Sequence, residues 1–349
     1  MSVVYKKLED VCEILDSRRV PITAKDRKAG AYPYYGANGL QDYVADYIFD
    51  DELVLLAEDG GNFGSKERPI AYRVSGKCWV NNHAHVLKAK PSIHVDYLCY
   101  ALMFYDTEGL VNGATRQKLT QAAMRQMVIP YRDMTEQLQI IEKISQIVRS
   151  IEKRKEELQL LDQLVKSRFI ELFASVEAED TLQNLCTFID YRGKTPEKAE
   201  SGLPFITAKN IRMHRMSFDT LEYISKETYD RVMTRGFPQI GDVVFTTEAP
   251  LGNVCRIPFI ETEFYIGQRI ITMQTERLEP AYLEYALSSN EFKRKIAEKS
   301  SGSTVTGIRS TLLEQLTIPV PPRALQEQFA AFVEQTDKSK LCGKMEVAA

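Results

Sequence analysis

The sequence contains little that would indicate a secreted, membrane-bound or metal-binding protein. It has one tryptophan, four histidines and six cysteines, and no two cysteines form a CxxC pair. A disulfide framework and a zinc site are therefore not indicated, and reduced, mostly buried thiols are expected. The longest apolar run, Tyr97–Tyr105, is far shorter than the roughly 20 residues that cross a bilayer, and the first residues lack a signal-peptide stretch. We expect a cytoplasmic protein.

Motifs of enzyme active sites are also lacking. The chain contains no (Asp/Asn)-Pro-Pro-(Tyr/Phe), Gly-x-Gly-x-x-Gly, Gly-x-Ser-x-Gly or His-Glu-x-x-His sequence. His83 and His85 are two residues apart, but no third ligand has a suitable spacing, so a loop contact or a structural role is favoured over a metal. The glycine-rich segment 60–66 has the wrong residue order for a phosphate loop and indicates a tight turn. We therefore predict a binding protein rather than an enzyme, with no metal or cofactor of its own.

Length and composition are those of a folded protein with two ordinary domains. The 349 residues are 44% hydrophobic and 27% charged, which allows two separate cores. The net charge of −3 comes from 45 basic and 48 acidic residues, so the chain as a whole is not basic. That balance argues mildly against nucleic acid as a partner, and the distribution of charge matters more than its sum.

An internal repeat organises the sequence. The segment that closes at Ile129-Pro130 aligns with the segment that closes at Ile318-Pro319, at an offset of 189 residues. Three further blocks of the first repeat match the second: Asn112–Thr115 with Ser301–Thr304, Tyr97–Leu102 with Tyr282–Leu287, and Val54–Glu58 with Val244–Glu248. After the Ile-Pro pair, Glu136-Gln137 matches Glu327-Gln328 if the alignment is shifted by two residues. The loops between these blocks do not match. A shared scaffold with divergent loops is how one fold carries two recognition surfaces.

Short apolar runs separated by Gly- and Asn-rich turns predict an α+β fold in each repeat. The predicted strands are Leu53–Ala57, Ile70–Arg73, His85–Lys88, Val243–Thr246 and Ile270–Gln274, and the predicted helices are Val95–Tyr105 and Pro280–Lys299. The predicted domains are residues 1–133, a helical spacer at 134–179, residues 180–322, and a short second helix and tail at 323–349.

A long helix is predicted between the repeats, because residues 134–173 contain no proline or glycine. Apolar residues recur three and four apart from Ile141 to Leu172, which is the rhythm of a coiled coil, and an ordinary amphipathic helix packed on a globular core is the alternative. At 1.5 Å per residue the helix would be a rod about 60 Å long that holds the two domains apart. A similar helix begins after Pro322 but is expected to fade after about Asp337, so we predict a truncated second helix.

Acid-free windows interrupt the balanced charge. No acidic residue occurs from Gly109 to Arg132 or from Ser201 to Phe218, whereas arginine, lysine, asparagine and threonine do. These side chains pair with the phosphates and base edges of nucleic acids, although ordinary solvated loops are the alternative for any single window. The candidate DNA-binding residues are Arg18, Arg19, Asn81, Asn82, His83, Asn112, Arg116, Gln117, Lys118, Arg192, Lys194, Lys209, Asn210, Arg212, Arg215, Arg269, Ser301, Ser303, Thr304 and Arg309.

Two repeats that close on Ile-Pro, each followed by a helix that opens near Glu-Gln, resemble the specificity subunit of a type I restriction–modification system. The similarity is carried by Ile129-Pro130, Glu136–Ile141, Ile318–Pro322 and Glu327–Phe329, with support from Tyr32–Gly39, Gly193–Pro196, Leu203–Thr207 and Ser301–Thr304. It spans nearly the whole chain. Each motif is weak alone, but their order and duplication are specific.

The resemblance implies a non-catalytic, sequence-specific DNA-binding subunit. Each repeat would be a target-recognition domain that reads one half of a bipartite double-stranded DNA target, and the helices would set the spacing. DNA methylation with S-adenosylmethionine, and ATP- and Mg-dependent translocation and cleavage, would belong to partner methyltransferase (M) and restriction/translocase (R) subunits. The short second helix departs from the family pattern, so self-association through the central helix is a further expectation. A coiled-coil scaffold without a DNA role and a stand-alone DNA-modifying enzyme are the alternatives.

Overall fold

A computed structural model of the chain describes residues 3–113, 116–193, 195–300 and 306–348, with side chains as far as residue 341. The chain divides into two compact units, Met1–Glu152 and Lys153–Ala349, called unit 1 and unit 2. The division falls inside a 40-residue helix, so each unit takes one part of that helix. Both units combine helices with β-sheets, which confirms the α+β prediction.

Unit 1 is built around a six-stranded sheet. Its strands are β1 (Val4–Lys7), β2 (Cys12–Ile14), β3 (Ala29–Gly36), β4 (Gly39–Val44), β5 (Phe49–Ala57), β6 (Ala71–Val80), β7 (Ala84–Ala89), β8 (Val111–Asn112), β9 (Lys118–Leu119) and β10 (Val128–Tyr131). Its helices are α1 (Leu8–Val11), α2 (Val95–Met103), α3 (Gln121–Gln126) and the first part of α4 (Met134–Phe173). The sheet order is β2-β7-β5-β6-β3-β4, antiparallel except for the β3/β6 pair, and β1 pairs with β10 in a separate ribbon. The apolar second half of β5 is fully buried, which makes β5 the centre of the sheet.

Unit 2 repeats this plan with different additions. Its strands are β11 (Glu179–Thr181), β12 (Thr187–Asp190), β13 (Leu203–Ile206), β14 (Ile211–Arg212), β15 (Arg215–Met216), β16 (Glu222–Ile224), β17 (Val243–Thr246), β18 (Val254–Arg256), β19 (Tyr265–Ile266), β20 (Ile270–Gln274) and β21 (Thr317–Pro319). Its helices are α5 (Leu182–Leu185), α6 (Lys226–Val232), α7 (Pro280–Ser288), α8 (Asn290–Lys299), α9 (Ser310–Glu314) and α10 (Arg323–Ala348), besides the second part of α4. The main sheet has the order β12-β20-β17-β18, and a second sheet has the order β16-β13-β19.

The hydrogen-bond pattern confirms the internal repeat. The four strands β12-β20-β17-β18 of unit 2 correspond in order and antiparallel direction to β2-β7-β5-β6 of unit 1. The ribbon β11/β21 corresponds to β1/β10. The N–H of Leu8 donates to the carbonyl of Met127, and the N–H of Leu182 donates to that of Leu316, both at 2.9 Å. The extra strands β3 and β4 of unit 1 have no equivalent in the main sheet of unit 2, so the two units share a scaffold and differ around it.

A buried glutamine at the start of each long helix corrects the sequence alignment. Gln137 Oε1 accepts from the N–H of His94, the N-cap of α2, at 2.7 Å. Gln326 Oε1 accepts from the N–H of Glu279, the N-cap of α7, at 2.9 Å. Gln326 is thus the counterpart of Gln137, and the offset of 189 residues continues into the helix. The two-residue slip that pairs Gln137 with Gln328 is therefore wrong.

The long helix α4 is present as predicted, and each of its ends is packed on a globular unit. Ile140 and Ile141 contact the core of unit 1. Near the other end, Val165 is fully buried, and Phe169 packs against Phe329 of α10 with ring centroids 5.4 Å apart. The sequence left open a coiled coil or an amphipathic helix packed on a core. The first part of α4 packs on the core of unit 1, and its last part packs against another helix, α10.

Two helix boundaries differ from the prediction. The helix α10 does not fade after Asp337 but continues to Ala348, although its 26 residues remain fewer than the 40 of α4. A contact outside the local sequence accompanies this longer helix, since Lys340 Nζ lies 2.7 Å from a carboxylate oxygen of Asp162 on α4. The segment predicted as one helix at 280–299 is two, α7 and α8. Ser289 has extended backbone between them, and its hydroxyl caps α8 by accepting from the N–H of Phe292 at 3.1 Å.

The described cysteine side chains are buried and form no disulfide, as expected. They are Cys12, Cys78, Cys99, Cys186 and Cys255. Burial raises the pKa of Cys78 to about 11 and that of Cys12 to about 12, so both remain protonated near neutral pH.

The two buried glutamines give a matched test of the repeat. Gln137→Leu leaves the N–H of His94 and the carbonyls of Ser92 and Arg132 without their partner, so we expect unit 1 to lose about 1–3 kcal/mol of unfolding free energy. Gln326→Leu should act equally on unit 2. Hydrogen exchange that resolves each unit measures both effects. The control is the exposed Gln139→Leu on the same helix, and equal stability of Gln137→Leu and this control would contradict the assignment.

Candidate nucleic-acid interface

In unit 1, several loops that carry candidate DNA-binding residues meet where β5 ends. The backbone of Glu58, the residue after β5, joins two other segments. Its N–H donates to the carbonyl of His83 at 2.9 Å, and its carbonyl accepts from the N–H of Leu119 at 2.7 Å. The N–H of Gly60 donates to the carbonyl of Gln117 at 3.2 Å. The β6–β7 turn and the end of the β8–β9 hairpin are therefore fixed beside one another at this edge of the sheet.

Unit 2 has the same construction after β17. The N–H of Thr247 donates to the carbonyl of Arg269 at 2.9 Å, and the carbonyl of Thr247 accepts from the N–H of Ile308 at 3.0 Å. Thr247 is therefore the counterpart of Glu58, and Arg269 that of His83. The sequence match of Val54–Glu58 with Val244–Glu248 is thus wrong by one residue, because the strand pairing makes Ala57 equivalent to Thr246. We call each of these places a strand-end edge, meaning residues 58–60, 81–83 and 116–119 in unit 1 and residues 247–248, 268–269 and 307–309 in unit 2.

An acidic residue lies at the same position of both strand-end edges, Asp59 in unit 1 and Glu248 in unit 2. Each forms an isolated β-bridge to the third segment of its edge. The Oδ1 atom of Asp59 lies 2.7 Å from His83 Nδ1 and 2.7 Å from Arg116 Nη2. The Oε1 atom of Glu248 lies 2.9 Å from Arg269 Nε. Both edges therefore present an arginine that is paired with a carboxylate.

A buried polar cluster supports the edge of unit 1, with Asp16 at its centre. Asp16 accepts hydrogen bonds from the N–H of Val86 at 2.8 Å and from Gln121 Nε2 at 2.9 Å, and lies 2.6 Å from His85 Nδ1. His85 Nε2 lies 2.9 Å from the carbonyl of Leu119, which belongs to the edge. Burial alone would raise the pKa of Asp16, but the hydrogen bonds with His85, Gln121 and Val86 hold it below its usual value of 3.8.

Glu58 extends this cluster through its side chain. Its carboxylate oxygens lie 2.6 Å from Arg19 Nη1 and 3.0 Å from Lys118 Nζ. Burial alone would raise the pKa of Glu58, but the hydrogen bonds from Arg19 and Lys118 hold it below its usual value of 4.5. Arg19 also donates to the carbonyl of Ala84 at 2.8 Å, and its side chain is only 13% exposed. Arg19 therefore supports the edge from inside, and its assignment as a DNA contact does not fit its position.

The histidines do not form the pair that a metal site on one strand face would need. His83 faces Asp59 at the surface, whereas His85 is buried against Asp16. Ligand atoms of Asp16, Glu58 and His85 do come within 4.8 Å of one another. The guanidinium of Arg19 already lies 2.6 Å from Glu58 and 3.5 Å from Asp16, so this cluster carries its own cation. We assign it to the scaffold.

The structure places most of the described candidate residues on the surface. Arg18, Asn82, Asn112, Arg116, Gln117, Lys118, Lys209, Arg212, Arg215, Arg269 and Arg309 are exposed, and His83 and Arg192 are partly exposed. Lys194, Ser301, Ser303 and Thr304 lie outside the described residues.

Some exposed candidates lie away from the strand-end edges. Arg18 donates to the carbonyl of Ile48 at 3.1 Å, near the beginning of β5 rather than its end. Arg212 and Arg215 lie on the β14–β15 hairpin, which packs beside β18. The carbonyl of Ile211 in this hairpin accepts from Asn253 Nδ2 at 2.8 Å, and Asn253 immediately precedes β18. The hairpin is therefore next to the end of the sheet that carries the edge of unit 2.

Two asparagines that the sequence suggested as DNA contacts are structural. Asn81 is buried, and its side chain donates to Gln41 Oε1 at 3.1 Å and accepts from the N–H of His83 at 2.8 Å. Asn210 is buried, accepts from the N–H of Thr207 at 2.9 Å and donates to the carbonyl of Ser217 at 3.0 Å. Their hydrogen-bonding groups are used inside the protein. Neither side chain is therefore positioned for a direct contact with DNA.

Sequence reasoning missed Asp16 and Gln121, which support the edge although they are 105 residues apart. Gln121 lies in an acid-free window, but nothing local to Asp16 indicates its contacts with His85 and Gln121. Their role depends on the tertiary fold that brings the two segments together.

Beside the edge of unit 2 lies a polar cavity of about 410 Å³. It is lined by Arg192, Gly193, Thr247, Glu248, Gln268, Gly307, Ile308 and Arg309. Arg192 is oriented by Asp190, whose carboxylate accepts from Arg192 Nε at 3.0 Å. The lining combines arginine, glutamine and glutamate, the side chains that recognise phosphates and base edges.

The family model "Type I restriction modification DNA specificity domain" matches residues 2–161 and 179–343, which is most of the chain and includes both repeats. The chain belongs to this family. The specificity-domain family is thus present twice in one polypeptide, in agreement with the repeated sheets.

Individual members of the specificity-domain family share a limited part of the sequence or a low identity with this chain. A putative type I restriction enzyme specificity subunit of Haemophilus influenzae is 37% identical over 139 residues, a match that covers 40% of this chain and only 36% of that relative. A type I restriction enzyme specificity subunit of Methanocaldococcus jannaschii is 20% identical over 95% of this chain and 85% of its own length. The fold is similar to that in the crystal structure of a type I restriction–modification S subunit from M. genitalium, with a TM-score of 0.57. The match covers 100% of this chain and 92% of the M. genitalium chain, and the sequences are 14% identical. Among the described residues, no helix has the length and apolar character needed to cross a membrane.

The polar cluster predicts how stability depends on pH. Because folding lowers the pKa of Asp16 and Glu58, their stabilisation is complete above their usual values of 3.8 and 4.5 and is lost as the pH falls through the lower folded values. Denaturation measured from pH 7 to pH 3 should show decreasing stability at the acid end. Asp16→Asn should flatten this decrease, whereas the exposed Asp42→Asn should not. An unchanged slope in Asp16→Asn would contradict the assignment.

Proposed function

We propose that this chain reads DNA sequence for a type I restriction–modification enzyme, with each unit recognising one half of a bipartite double-stranded target. The observation that carries the proposal is the repeated strand-end edge within a chain of the specificity-domain family. Each unit presents loops of different sequence at the end of an equivalent central strand. A rigid scaffold that carries variable loops is suited to reading two different short sequences.

Exposed cations of unit 2 support a DNA partner despite the net charge of −3. Among the described residues, no carboxylate lies within 4.0 Å of Lys209, Arg212, Arg215 or Arg309. Their charges are therefore available to phosphates. We propose that these residues position unit 2 on the DNA backbone.

We propose that the chain itself catalyses no reaction and holds no cofactor. Methylation with S-adenosylmethionine, and translocation and cleavage with ATP and Mg, would belong to M and R subunits. The acids at the edges support this division, because Glu58, Asp59 and Glu248 are each paired with an arginine, lysine or histidine. A pair of carboxylates that shares a proton for acid–base catalysis is a different arrangement.

An apolar stripe on α4 is the place where we expect an M subunit to bind. Leu160 and Leu164, one helical turn apart, are both more than half exposed. Exposed leucines at such spacing are typical of a surface that a partner helix covers. Self-association through this stripe is the competing outcome.

Methylation patterns in cells test the proposed function. In cells that contain the M subunits, adding this gene should produce methylation at one bipartite motif, and removing it should abolish that methylation. The purified chain without partners should transfer no methyl groups and cut no DNA. An unchanged methylation pattern, or either activity in the chain alone, would contradict the proposal.

Neutralising the unpaired cations should weaken binding to all DNA sequences alike. Arg212→Gln and Arg309→Gln, assembled with M subunits, should each lower the slope of log affinity against log salt by about 1. The control is Lys338→Gln on α10, an exposed lysine paired with Glu334 at 2.7 Å. Wild-type affinity and salt slope in both arginine variants would show that these residues face solvent in the complex.

A further inference from the structure

We propose that Arg116 and Arg269, each anchored by a carboxylate, read a guanine in the two halves of the target, so that each strand-end edge contains one guanine-reading arginine. This inference rests on the proposed DNA-reading function and adds to it the identity of two specificity-determining residues and the base that they select.

The two acids occupy equivalent positions in the two units. Asp59 and Glu248 directly follow Glu58 and Thr247, the residues whose backbones join the three segments of each edge. Both acids also form the isolated bridge to the third segment. The fold therefore places a carboxylate at one defined point of each unit, whatever the sequence of the surrounding loops.

Each arginine is held by its acid but remains largely exposed. Arg116 contacts Asp59 through Nη2, and Arg269 contacts Glu248 through Nε. The side chains are 60% and 53% exposed, so each guanidinium has one side held and another side facing outward. Among the described residues, no other carboxylate lies within 4.0 Å of the guanidinium of Arg116 or of Arg269. The anchor restricts rotamers before DNA binds, which reduces the entropy that a long side chain loses on binding.

The anchoring carboxylate favours a base over a phosphate as the partner of each arginine. A phosphate brought to Arg116 or Arg269 would also approach the negative charge of the anchoring carboxylate, which opposes the contact. The O6 and N7 atoms of guanine are neutral acceptors that match two parallel donors of an arginine. An arginine that is already paired with an acid is therefore better suited to guanine than to the backbone. Lys209, Arg212 and Arg309, which lack such an acid among the described residues, have the opposite preference.

The two units supply the arginine from different loops. In unit 1, Arg116 comes from the segment before β9, and the turn before β7 supplies His83 to the same acid. In unit 2, Arg269 occupies the position of His83 in the turn before β20. Because the arginines approach from different directions, the guanine is expected at different positions in the two half-sites.

The experiment uses the full chain assembled with M subunits and the DNA target identified by methylation sequencing. Affinity is measured for the target, for variants with one base pair changed at a time, and for targets that carry 7-deazaguanine, which lacks N7, at one guanine at a time. In the wild-type complex, 7-deazaguanine at one guanine of each half-site should weaken binding about tenfold. This measurement needs no protein variant, so it does not depend on the folding of a mutant.

Protein variants then assign the guanines. Arg116→Gln should weaken binding to the target about 5- to 150-fold and abolish the response to 7-deazaguanine in one half-site only, and Arg269→Gln should do so in the other. Asp59→Asn and Glu248→Gln should reduce discrimination at the same two positions. The matched control is Arg277→Gln. Arg277 is 55% exposed and paired with Asp180 at 3.2 Å, but it follows β20 whereas Arg269 precedes it, so its substitution should leave discrimination unchanged.

Two results would overturn the inference without touching the proposed function. One is a wild-type complex that recognises its target but responds to 7-deazaguanine at no position. The other is a uniform loss of affinity for all sequences in Arg116→Gln and Arg269→Gln with a salt slope lowered by about 1, which is the behaviour of a phosphate contact. A wild-type complex that shows no preference for any DNA sequence would instead overturn the proposed function, and the inference with it.

Discussion

Each strand-end edge depends on the backbone of a single residue, Glu58 in unit 1 and Thr247 in unit 2. Both its N–H and its carbonyl are bonded to other segments, at distances of 2.7 to 3.0 Å. A buried backbone group without a partner is costly, so these bonds fix where the segments must meet. Backbone bonds make few demands on the side chains around them. The neighbouring loops are therefore able to differ between the units while they remain at the same place.

The scaffold was largely predictable because local signals determine it. The runs Val243–Thr246 and Ile270–Gln274 are short, apolar and bounded by turn residues, and the structure has strands with those bounds. Residues 134–173 form one helix because no proline or glycine interrupts them. The failures are of a different kind. The continued part of α10 includes Lys340, which contacts Asp162 on α4, a residue distant in the sequence.

The site was predictable only in part, because residue type indicates chemistry but not exposure. Asparagine suits a base edge, and it equally suits a turn or a cap, which is how the structure uses Asn81 and Asn210. Arg19 has the charge of a phosphate contact, but its partners are Glu58 and the carbonyl of Ala84. Five of the exposed cations, Arg116, Lys118, Lys209, Arg212 and Arg215, were found from acid-free windows, since a stretch without acids offers a cation no local partner. The absence of local acids does not show whether a distant segment supplies one, as Asp59 does for Arg116.

The exposed cations fall into two classes, those paired with an acid and those without one. The amino-acid sequence alone does not distinguish these classes. A paired arginine keeps its directional donors but loses much of its net charge, so it gains less from a phosphate and retains its fit to neutral acceptors. An unpaired one gains most from the charge of the backbone. Under the proposed function, a chain with a net charge of −3 uses unpaired cations for the DNA backbone and paired arginines for the bases. We propose that the acids at the edges do not simply oppose DNA binding, because they limit the attraction that is independent of sequence. They thereby increase the share of the binding free energy that depends on which bases are present.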